Sequence, residues 1–325
     1  IYTNAESSAA SDVYKRQDDF FPQEREVCRV KKVAYLTMAD KGDYVTDFHL
    51  SFEPMLKLGW RVDTVAWRSR ADWDDYDAVY ICTPWDYPEH LPQFLEVLEA
   101  IESSRALLIN DLALVHWTLE KTYLRDIEQR GGTIVPTVWY EGIESANTGE
   151  FFAIHGTNKV VIKPTVGANA KDTFVLTVPL DDDRLQALRQ IYAKRPFLVQ
   201  PFIENIQSEG EYSLFFFGGE YSHAIQKIPK AGDFRVQEEH GADIQAVEPA
   251  KALLDIAGTL FNSVRPLPTY GRGDWVRDNA GNFLLMELEL IEPSLYLRTD
   301  SGAAARFALA FDKRFQEFSS KRAFG

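Results

Sequence analysis

The segment YGRGDWVRDNAGNFLLMELELIEPSLYL, residues 270–297, decides how the C-terminal part of this chain folds. Its middle, residues 278–282 with the sequence DNAGN, consists of residues that favour turns. The runs on both sides are apolar and rich in residues that favour β structure. The segment therefore predicts two antiparallel strands joined by a short reversal.

The expected pairing of these two strands brings acidic side chains together. Pairing that is symmetric about Ala280 places Asp274 opposite Met286. A bulge of one residue would bring Asp274 level with Glu287. Glu289 shares a face with Glu287 because side chains alternate along a strand. Three carboxylates are therefore expected to converge on one spot.

A cluster of three carboxylates needs a counter-charge if it is half-buried, because like charges repel strongly there. A hard cation that takes oxygen ligands meets this need, and magnesium with phosphate groups fits the description. A solvated hairpin with scattered acids is the alternative, and the segment alone leaves both open. Arg272 stands two residues before Asp274 on the same strand face, where it could stabilise phosphate oxygens.

Three upstream segments carry further polar residues at strand or helix positions. NKVVIKPTVGANAKDTFVL, residues 158–176, is a β-like run that ends at Lys163, followed by a loop of small residues with a single glycine and by a second β-like run. A lysine at that position can reach a phosphate that loop amides hold. Residues 197–227 predict three strands, and Gln200 and Glu211 are polar residues that interrupt this mostly strand-like sequence. Residues 115–130 predict one helix that contains Lys121.

In this order, the segments resemble the ATP-grasp superfamily from about Val30 onward. The phrases TPWDYPEHLPQFLEVLE, HWTLEKTYL and ELELIEPSLYL resemble its glutathione-synthetase-like branch, and within it the ATP-grasp ligases of the cycloserine pathway. The resemblance implies an α/β fold with an N-terminal Rossmann-like parallel-sheet domain, followed by an α+β lid and an α+β base that hold ATP between them.

The resemblance also implies roles for ten residues. Lysines would bind the α- and β-phosphates, an amide with nearby backbone would contact adenine, one acid would bind the ribose, and three acids would hold Mg²⁺ or Mn²⁺. In that order, the residues are Lys121 and Lys163, then Gln200, Pro201, Phe202 and Ile203, then Glu211, then Asp274, Glu287 and Glu289. Much of the superfamily has asparagine at the last position, which leaves open whether Glu289 binds the metal or supports another ligand.

Three cations are candidates for the chemistry itself. Arg272 is the first, and Lys227 and Arg235 flank a glycine-containing link and are the next anion contacts, with ordinary surface cations as the alternative. A substrate carboxylate would attack the γ-phosphorus of ATP, and an amine would then attack the acyl phosphate. We therefore expect an ADP-forming carboxylate–amine ligase that acts on small molecules. An ATP-grasp kinase and a nucleotide-binding regulatory protein without turnover are the alternatives.

The N-terminal part alternates β-like and helical patterns, which predicts a parallel sheet with crossover helices. Ligand sites in such sheets lie beyond the carboxyl ends of the strands. Polar and aromatic residues follow two such ends and could line the acceptor pocket, or could simply pack between domains. They are Asp40, Asp43, Thr83, Trp85, Asp86 and Tyr87.

Four units are expected along the chain. Residues 7–17, SSAASDVYKRQ, match a translated sequencing adapter, so residues 1–17 are expected to be a non-native tail, with the native start missing. Residues 18–115 would form the substrate domain, 116–200 the lid, and 201–325 the base with the metal site.

The composition of the chain limits the classes of partner that the protein could bind. The chain has 35 basic and 49 acidic residues, a net charge of -14, which opposes binding to nucleic acid or anionic lipid. No apolar run is long enough to span a membrane. The two cysteines, Cys28 and Cys82, form no metal-binding or redox pair, so a cytoplasmic location is expected. The sequence is also compatible with a homo-oligomer.

Overall fold

A computed structural model describes residues 29–324 of the chain. The expected tail, residues 1–17, lies outside the described residues, as do residues 18–28 and 325. The first unit contains a parallel sheet with the strand order β2-β1-β3-β4, as expected. Its strands are β1 (Lys31–Thr37), β2 (Trp60–Ala66), β3 (Ala78–Thr83) and β4 (Leu107–Ile109).

Helices cover this sheet with the apolar stripes that the sequence predicts. A 3₁₀ turn at Phe48–Ser51 leads into α1 (Phe52–Lys57), and α2 spans Leu91–Glu102. The apolar side chains of α2 are buried because they recur with the helical period. Gly59 follows α1 with a φ of +81°, a left-handed conformation that favours glycine and reverses the chain into β2.

The single helix expected over residues 115–130 is wrong, because the chain forms two helices there. α3 spans Leu112–Thr118, and α4 spans Tyr123–Gln129. Between them, the backbone N–H of Lys121 donates to the carbonyl of Thr165 at 2.8 Å, which replaces a hydrogen bond within a helix. This break lets Lys121 leave the helical surface and face the loop after residue 164.

The second unit is built on an antiparallel sheet with the order β5-β8-β6-β7. The strands are β5 (Val138–Tyr140), β6 (Lys159–Pro164), β7 (Phe174–Thr177) and β8 (Phe197–Pro201), and the helices are α5 (Glu150–His155) and α6 (Asp182–Tyr192). The helices bury aromatic side chains against one face, where the Phe151 and Phe197 rings meet edge to face with their centroids 6.0 Å apart. The other face is left for the cavity described below.

The third unit is an antiparallel sheet with the order β11-β10-β9-β12-β13. The strands are β9 (Glu211–Phe217), β10 (Glu220–Ile228), β11 (Asp243–Ala246), β12 (Tyr270–Arg277) and β13 (Phe283–Glu289). Helices α7 (Asn205–Ser208), α8 (Lys251–Ser263) and α9 (Ala303–Phe324) complete the described chain. No helix within residues 29–324 has the length and apolar character that a membrane crossing needs. The domain boundaries expected from the sequence stay predictions.

The hairpin β12-β13 has the register that the sequence predicts. Pairing is symmetric about Ala280 as far as Trp275, which faces Leu285. The register then shifts by one residue, so that Asp274 pairs with Glu287. The Asp278 carboxylate closes the turn, because it accepts from the N–H of Ala280 at 2.9 Å and from the N–H of Asn282 at 2.8 Å. The bulge and turn chemistry together set the positions of the acids.

Helix α9 returns to the first unit and completes its core. Phe307 and Phe311 are buried against the first sheet, and the Trp60 indole N–H donates to the Asp312 carboxylate at 2.8 Å. Leu309 lies between these two phenylalanines on the same helix, but 59% of it is exposed. It stands two residues from both phenylalanines, so the helical period turns it to the opposite face.

A buried asparagine joins the first sheet to the hairpin. The Asn110 side-chain amide donates to the carbonyls of Tyr270 at 2.9 Å and Leu290 at 2.9 Å, and its oxygen accepts from the N–H of Thr269 at 2.7 Å. The Tyr270 hydroxyl adds a 2.6 Å bond to the carbonyl of Ile291. These contacts hold the start of β12 and the residues after β13 beside the end of β4.

Asn110→Ala is expected to lower the free energy of unfolding by about 2–5 kcal/mol, because three buried backbone groups lose their partner at a cost of about 1–3 kcal/mol each before relaxation. Urea unfolding measures the change. Asn262→Ala is the matched control, since Asn262 is exposed and donates to one helical carbonyl; it should change stability by no more than about 0.5 kcal/mol. Equal stability of the two variants would contradict the role of Asn110.

Candidate active site

A cavity of about 230 Å³ lies where the three units meet. All thirteen residues that the sequence nominated line it, whether for phosphate, adenine, ribose, metal or catalysis. They are Lys121, Lys163, Gln200, Pro201, Phe202, Ile203, Glu211, Lys227, Arg235, Arg272, Asp274, Glu287 and Glu289. Of the residues expected to line the pocket for the acceptor substrate, Trp85 and Tyr87 line this cavity and Asp43 lines an adjoining one. The Asp86 carboxylate instead accepts hydrogen bonds from the side chains of Trp67 and Arg68.

Asp274 is the most strongly paired acid of the cavity. The Arg272 guanidinium contacts both of its oxygens, with Nε 3.0 Å from Oδ1 and Nη2 3.0 Å from Oδ2. The Ser213 hydroxyl lies 2.5 Å from Oδ1, and Lys227 Nζ lies 3.6 Å from it. Burial opposes the charge, but the two cations outweigh it, so the pKa of Asp274 lies below its usual value.

Glu211 and Lys227 form a second buried pair beside Asp274. Lys227 Nζ lies 2.8 Å from Glu211 Oε1, and both side chains are only 5% exposed. Burial raises the pKa of Glu211 despite this partner. Burial alone would lower the pKa of Lys227, but Asp274 and Glu211 more than compensate and the pKa is raised. Lys227 therefore balances two acids in this structure.

Glu287 is paired with Lys121 on the lid side of the cavity. The two groups lie 2.8 Å apart, and Lys121 Nζ also donates to the carbonyl of Gly167 at 3.0 Å. Despite burial, Lys121 and Lys163 hold the pKa of Glu287 below its usual value. Lys163 itself has a lowered pKa because it is buried and lies near Lys121. These two lysines are therefore a concentrated positive charge beside the phosphate loop.

Glu289 is the acid with the weakest compensation among the three expected metal ligands. Arg272 binds it, yet burial raises the pKa of Glu289 to about 7. Within residues 29–324, no three or more His, Cys, Asp or Glu side chains are arranged as a metal site. Arg272 and Lys121 hold the three carboxylates instead. The expected convergence of all three carboxylates on one spot is therefore not found in this structure, although carboxylate oxygens are the kind of ligand that Mg²⁺ prefers.

The four residues expected to contact adenine line one part of the cavity. Gln200 lines the cavity and its amide donates to Thr137 Oγ1 at 2.9 Å. The backbone N–H of Phe202 already donates to the carbonyl of Lys159 at 3.0 Å, so it is not available to a base. Five apolar side chains provide flat walls for a ring, namely Val161, Ile203, Ile206, Met286 and Leu288.

Arg235 lies at the edge of the cavity and is bound to its neighbour. Its guanidinium contacts both oxygens of Asp233, at 2.8 Å for Nη2 to Oδ2 and 3.1 Å for Nε to Oδ1, and 40% of the side chain is exposed. This pairing lowers the pKa of Asp233 and raises the pKa of Arg235. An incoming anion would compete with Asp233 for this group, which makes Arg235 a weaker candidate than Arg272.

The loop after β6 adopts left-handed turns without using its glycine. Asn169, Ala170 and Asp172 have φ values of 54°, 52° and 59°. The loop contacts the first unit through Asn169, whose amide lies 3.0 Å from the Tyr44 hydroxyl, and through Lys171, which binds Glu89 at 2.5 Å. The single glycine is therefore no obstacle to a turn at this position, since neighbouring residues supply the conformation at some cost in strain.

Sequence reasoning missed three residues that contact the site. Ser213 follows Glu211 by two positions, so the strand period could have placed it beside Asp274. The Tyr123 hydroxyl accepts from the N–H of Leu288 at 2.8 Å, a contact that depends on the unpredicted break before α4. Glu292 lines the cavity beyond the end of β13, where no strand period applies.

The three sheets and the charged cavity between them define an ATP-grasp enzyme. Residues 141–266 match the family model for the ATP-grasp domain of prokaryotic glutathione synthetase, and residues 33–110 match the model for the N-terminal domain of the D-cycloserine synthetase DcsG. The cycloserine biosynthesis protein DcsG of Streptomyces lavendulae is 32% identical over 261 residues, which cover 75% of this chain and 85% of that protein. The chain belongs to the DcsG family of ATP-grasp ligases.

Solved structures agree with this assignment. The crystal structure of D-cycloserine synthetase DcsG superimposes with a TM-score of 0.77 at 27% identity, covering 87% of this chain and 99% of that one. D-alanine–D-alanine ligase from Bacillus anthracis shares the fold, with a TM-score of 0.64 at 12% identity over 90% of this chain and 99% of that one. The protein is an ATP-dependent, ADP-forming ligase that joins a carboxylate to an amine or amine-like nucleophile through an acyl phosphate.

Lys163→Met is expected to weaken ATP binding about tenfold or more, because a charge-assisted hydrogen bond to phosphate contributes roughly 1.5–3 kcal/mol. Isothermal titration calorimetry measures the affinity. Lys194→Met, which removes an exposed lysine of the second unit, is the control and should leave the affinity within about twofold. Unchanged affinity in Lys163→Met would make Lys163 a structural residue.

Proposed function

We propose that this ligase binds ATP in the cavity between the second and third sheets, with the residue roles that its sequence suggests. Lys121 and Lys163 bind the α- and β-phosphates, and Glu211 binds the ribose. Gln200 and the backbone near Ile203 contact adenine between the apolar walls. The observation that carries the proposal is the one-residue bulge that sets Asp274 level with Glu287 in a cavity where both acids are paired with cations.

Asp274, Glu287 and Glu289 are proposed to hold Mg²⁺, which Mn²⁺ can replace. A metal held by these residues would supply Lewis-acid chemistry to the phosphate groups of the nucleotide. Arg272 and Lys121, which pair with these carboxylates in the present structure, are then free to pair with phosphate oxygens. This exchange keeps these three carboxylates compensated, with and without nucleotide.

The chain's own groups then position the reacting carboxylate. Lys163 and Lys121 hold the leaving ADP phosphates, and Arg272 stabilises the oxygens of the phosphoryl group in transfer. The substrate carboxylate takes the γ-phosphoryl group, ADP leaves, and an amine displaces phosphate from the acyl carbon. The loop of residues 165–171 covers the site and limits hydrolysis of the acyl phosphate.

The proposed substrates are a small-molecule carboxylic acid and an amine-type nucleophile. A family member is a D-cycloserine synthetase, so D-cycloserine is the first product to test. A cytoplasmic location follows from the same biosynthetic role. The direct test is hydroxylamine trapping: with a candidate acid and MgATP, hydroxamate and ADP should form in equal amounts. ADP without hydroxamate would contradict the ligase proposal.

Glu287→Gln is expected to lower turnover at least about a hundredfold while the fold and most of the ADP affinity remain, because the metal side of the site supplies several kcal/mol of transition-state stabilisation. ADP release, magnesium titration and thermal melting are measured together. Glu220→Gln, at an exposed position in the same sheet, serves as the control and should keep wild-type turnover. Wild-type turnover and magnesium dependence in Glu287→Gln would exclude it as a metal ligand.

Arg272→Lys should lower turnover by more than it lowers ATP affinity. A lysine keeps the positive charge but cannot reproduce the planar fork that contacts Asp274 and Glu289 together. Single-turnover ADP formation at saturating ATP, beside the ATP dissociation constant, separates the two effects. Equal losses in both quantities would indicate a role in binding alone.

A further inference from the structure

Among the described residues 29–324, Glu292 is the one acid of the cavity that is shielded from solvent and has no cation; Glu239 also lacks a cation, but it is exposed. Glu211, Asp274, Glu287 and Glu289 each contact a lysine or arginine within 4.0 Å. Among the described residues 29–324, no salt bridge of that length reaches Glu292, although it lines the same cavity. A half-buried carboxylate without a counter-charge is costly, and this cost is commonly offset by a ligand.

The position of Glu292 is fixed from several sides. Its carboxyl group is hydrogen-bonded to the Tyr87 side chain. Its carbonyl accepts from the Trp85 indole N–H at 2.9 Å, and the preceding carbonyl, of Ile291, accepts from the Tyr270 hydroxyl at 2.6 Å. These contacts tie the carboxylate to the residues after β3 and to the joint between the first and third units. The group is therefore held in place before any substrate binds.

A second acceptor of the cavity also lacks a donor. The side-chain oxygen Oε1 of Gln237 is buried and has no hydrogen-bond partner within the described part of the chain. Gln237 lines both this cavity and the adjoining one that reaches Trp85. A carboxyl group without a cation and an acceptor oxygen without a donor together favour a ligand that brings N–H groups and positive charge.

We propose that Glu292, supported by Tyr87, binds the ammonium group of an amino acid whose carboxylate is phosphorylated by ATP, and so determines which acids the ligase accepts. The inference rests on the proposed function and adds a specificity residue to it. Glu292 acts by binding and orienting; the bond changes remain those of the ligase reaction.

Chain geometry limits the size of this substrate. Glu292 follows Glu289 by three residues, so their Cα atoms are separated by at most about 11 Å. If Glu289 borders the γ-phosphate, the substrate must place its carboxylate and its ammonium group within a distance of this order. An α- or β-amino acid meets the requirement, because its two charged groups are only a few bonds apart.

The direction of the pKa shift of Glu292 is also consistent with an ammonium ligand. Burial, reinforced by the neighbouring Glu289, raises the pKa of Glu292 to about 8. The ionised form is thus disfavoured in the empty cavity, and an ammonium ion would stabilise it. A neutral or anionic substrate end would leave the carboxylate uncompensated, which gives discrimination against acids that lack an amino group.

The test compares amino acids with their des-amino counterparts. D-alanine and propionate, and D-serine and 3-hydroxypropionate, are offered with MgATP and hydroxylamine, which serves as a common nucleophile. The wild-type protein should form hydroxamate from an amino acid at least tenfold faster than from its partner acid. Glu292→Gln should raise KM for the amino acid at least tenfold, leave KM for ATP within about twofold, and reduce the preference over the des-amino acid about tenfold.

Two variants control the result. Glu239→Gln alters an exposed carboxylate at the rim of the same cavity and should keep the wild-type preference. Tyr87→Phe removes only the supporting hydroxyl and should weaken the preference in the same direction as Glu292→Gln, which preserves the test if that variant folds poorly.

The outcomes separate the two proposals. An unchanged preference in both Glu292→Gln and Tyr87→Phe, with active wild-type protein, would overturn the ammonium site and leave the ligase function intact. Failure of the wild-type protein to form hydroxamate from any of these acids would overturn the proposed substrates, and the ammonium site with them.

Discussion

Mutual repulsion among carboxylates is the constraint that the structure must satisfy. Seven acids of the described residues line one cavity. Four of them, Glu211, Asp274, Glu287 and Glu289, are paired with Lys121 from the lid side and with Lys227 and Arg272 from the base. Asp274 is the common partner, since both base cations reach it. Lys121, which pairs with Glu287, lies in the break between α3 and α4. The backbone conformation between these two helices therefore determines one of the charge pairs in the cavity.

The same charged groups would have partners both without and with nucleotide. The cations that stabilise the carboxylates in the empty cavity are the groups that phosphate would otherwise attract, and the carboxylates are the groups that a metal would attract. Loading the site is therefore an exchange of partners, with little new charge buried without compensation. Such a site can be well ordered before nucleotide binds, which reduces the ordering cost of binding.

Much of this could be predicted from sequence, and the failures have physical causes. The parallel sheet and the hairpin register with its bulge follow from side-chain periods and turn chemistry, which act over a few residues. Most of the cavity-lining residues were instead implied by the resemblance to the ATP-grasp superfamily. The helix break at Lys121 could not be predicted, because it depends on a carbonyl 44 residues away. The backbone N–H of Phe202 donates to the carbonyl of Lys159, a pairing between distant segments that side-chain patterns do not reveal. Glu292 stands after β13, where only tertiary contacts determine the direction of a side chain.

Helix α9 carries a consequence for the order in which the protein forms during synthesis. The first sheet contributes Trp60 and its neighbours to a core that stays incomplete until Phe307, Phe311 and Asp312 arrive. More than 200 residues must be translated between those two groups. The apolar face of the first sheet is therefore exposed on the ribosome while the second and third units are made, and it is the surface on which a chaperone would act.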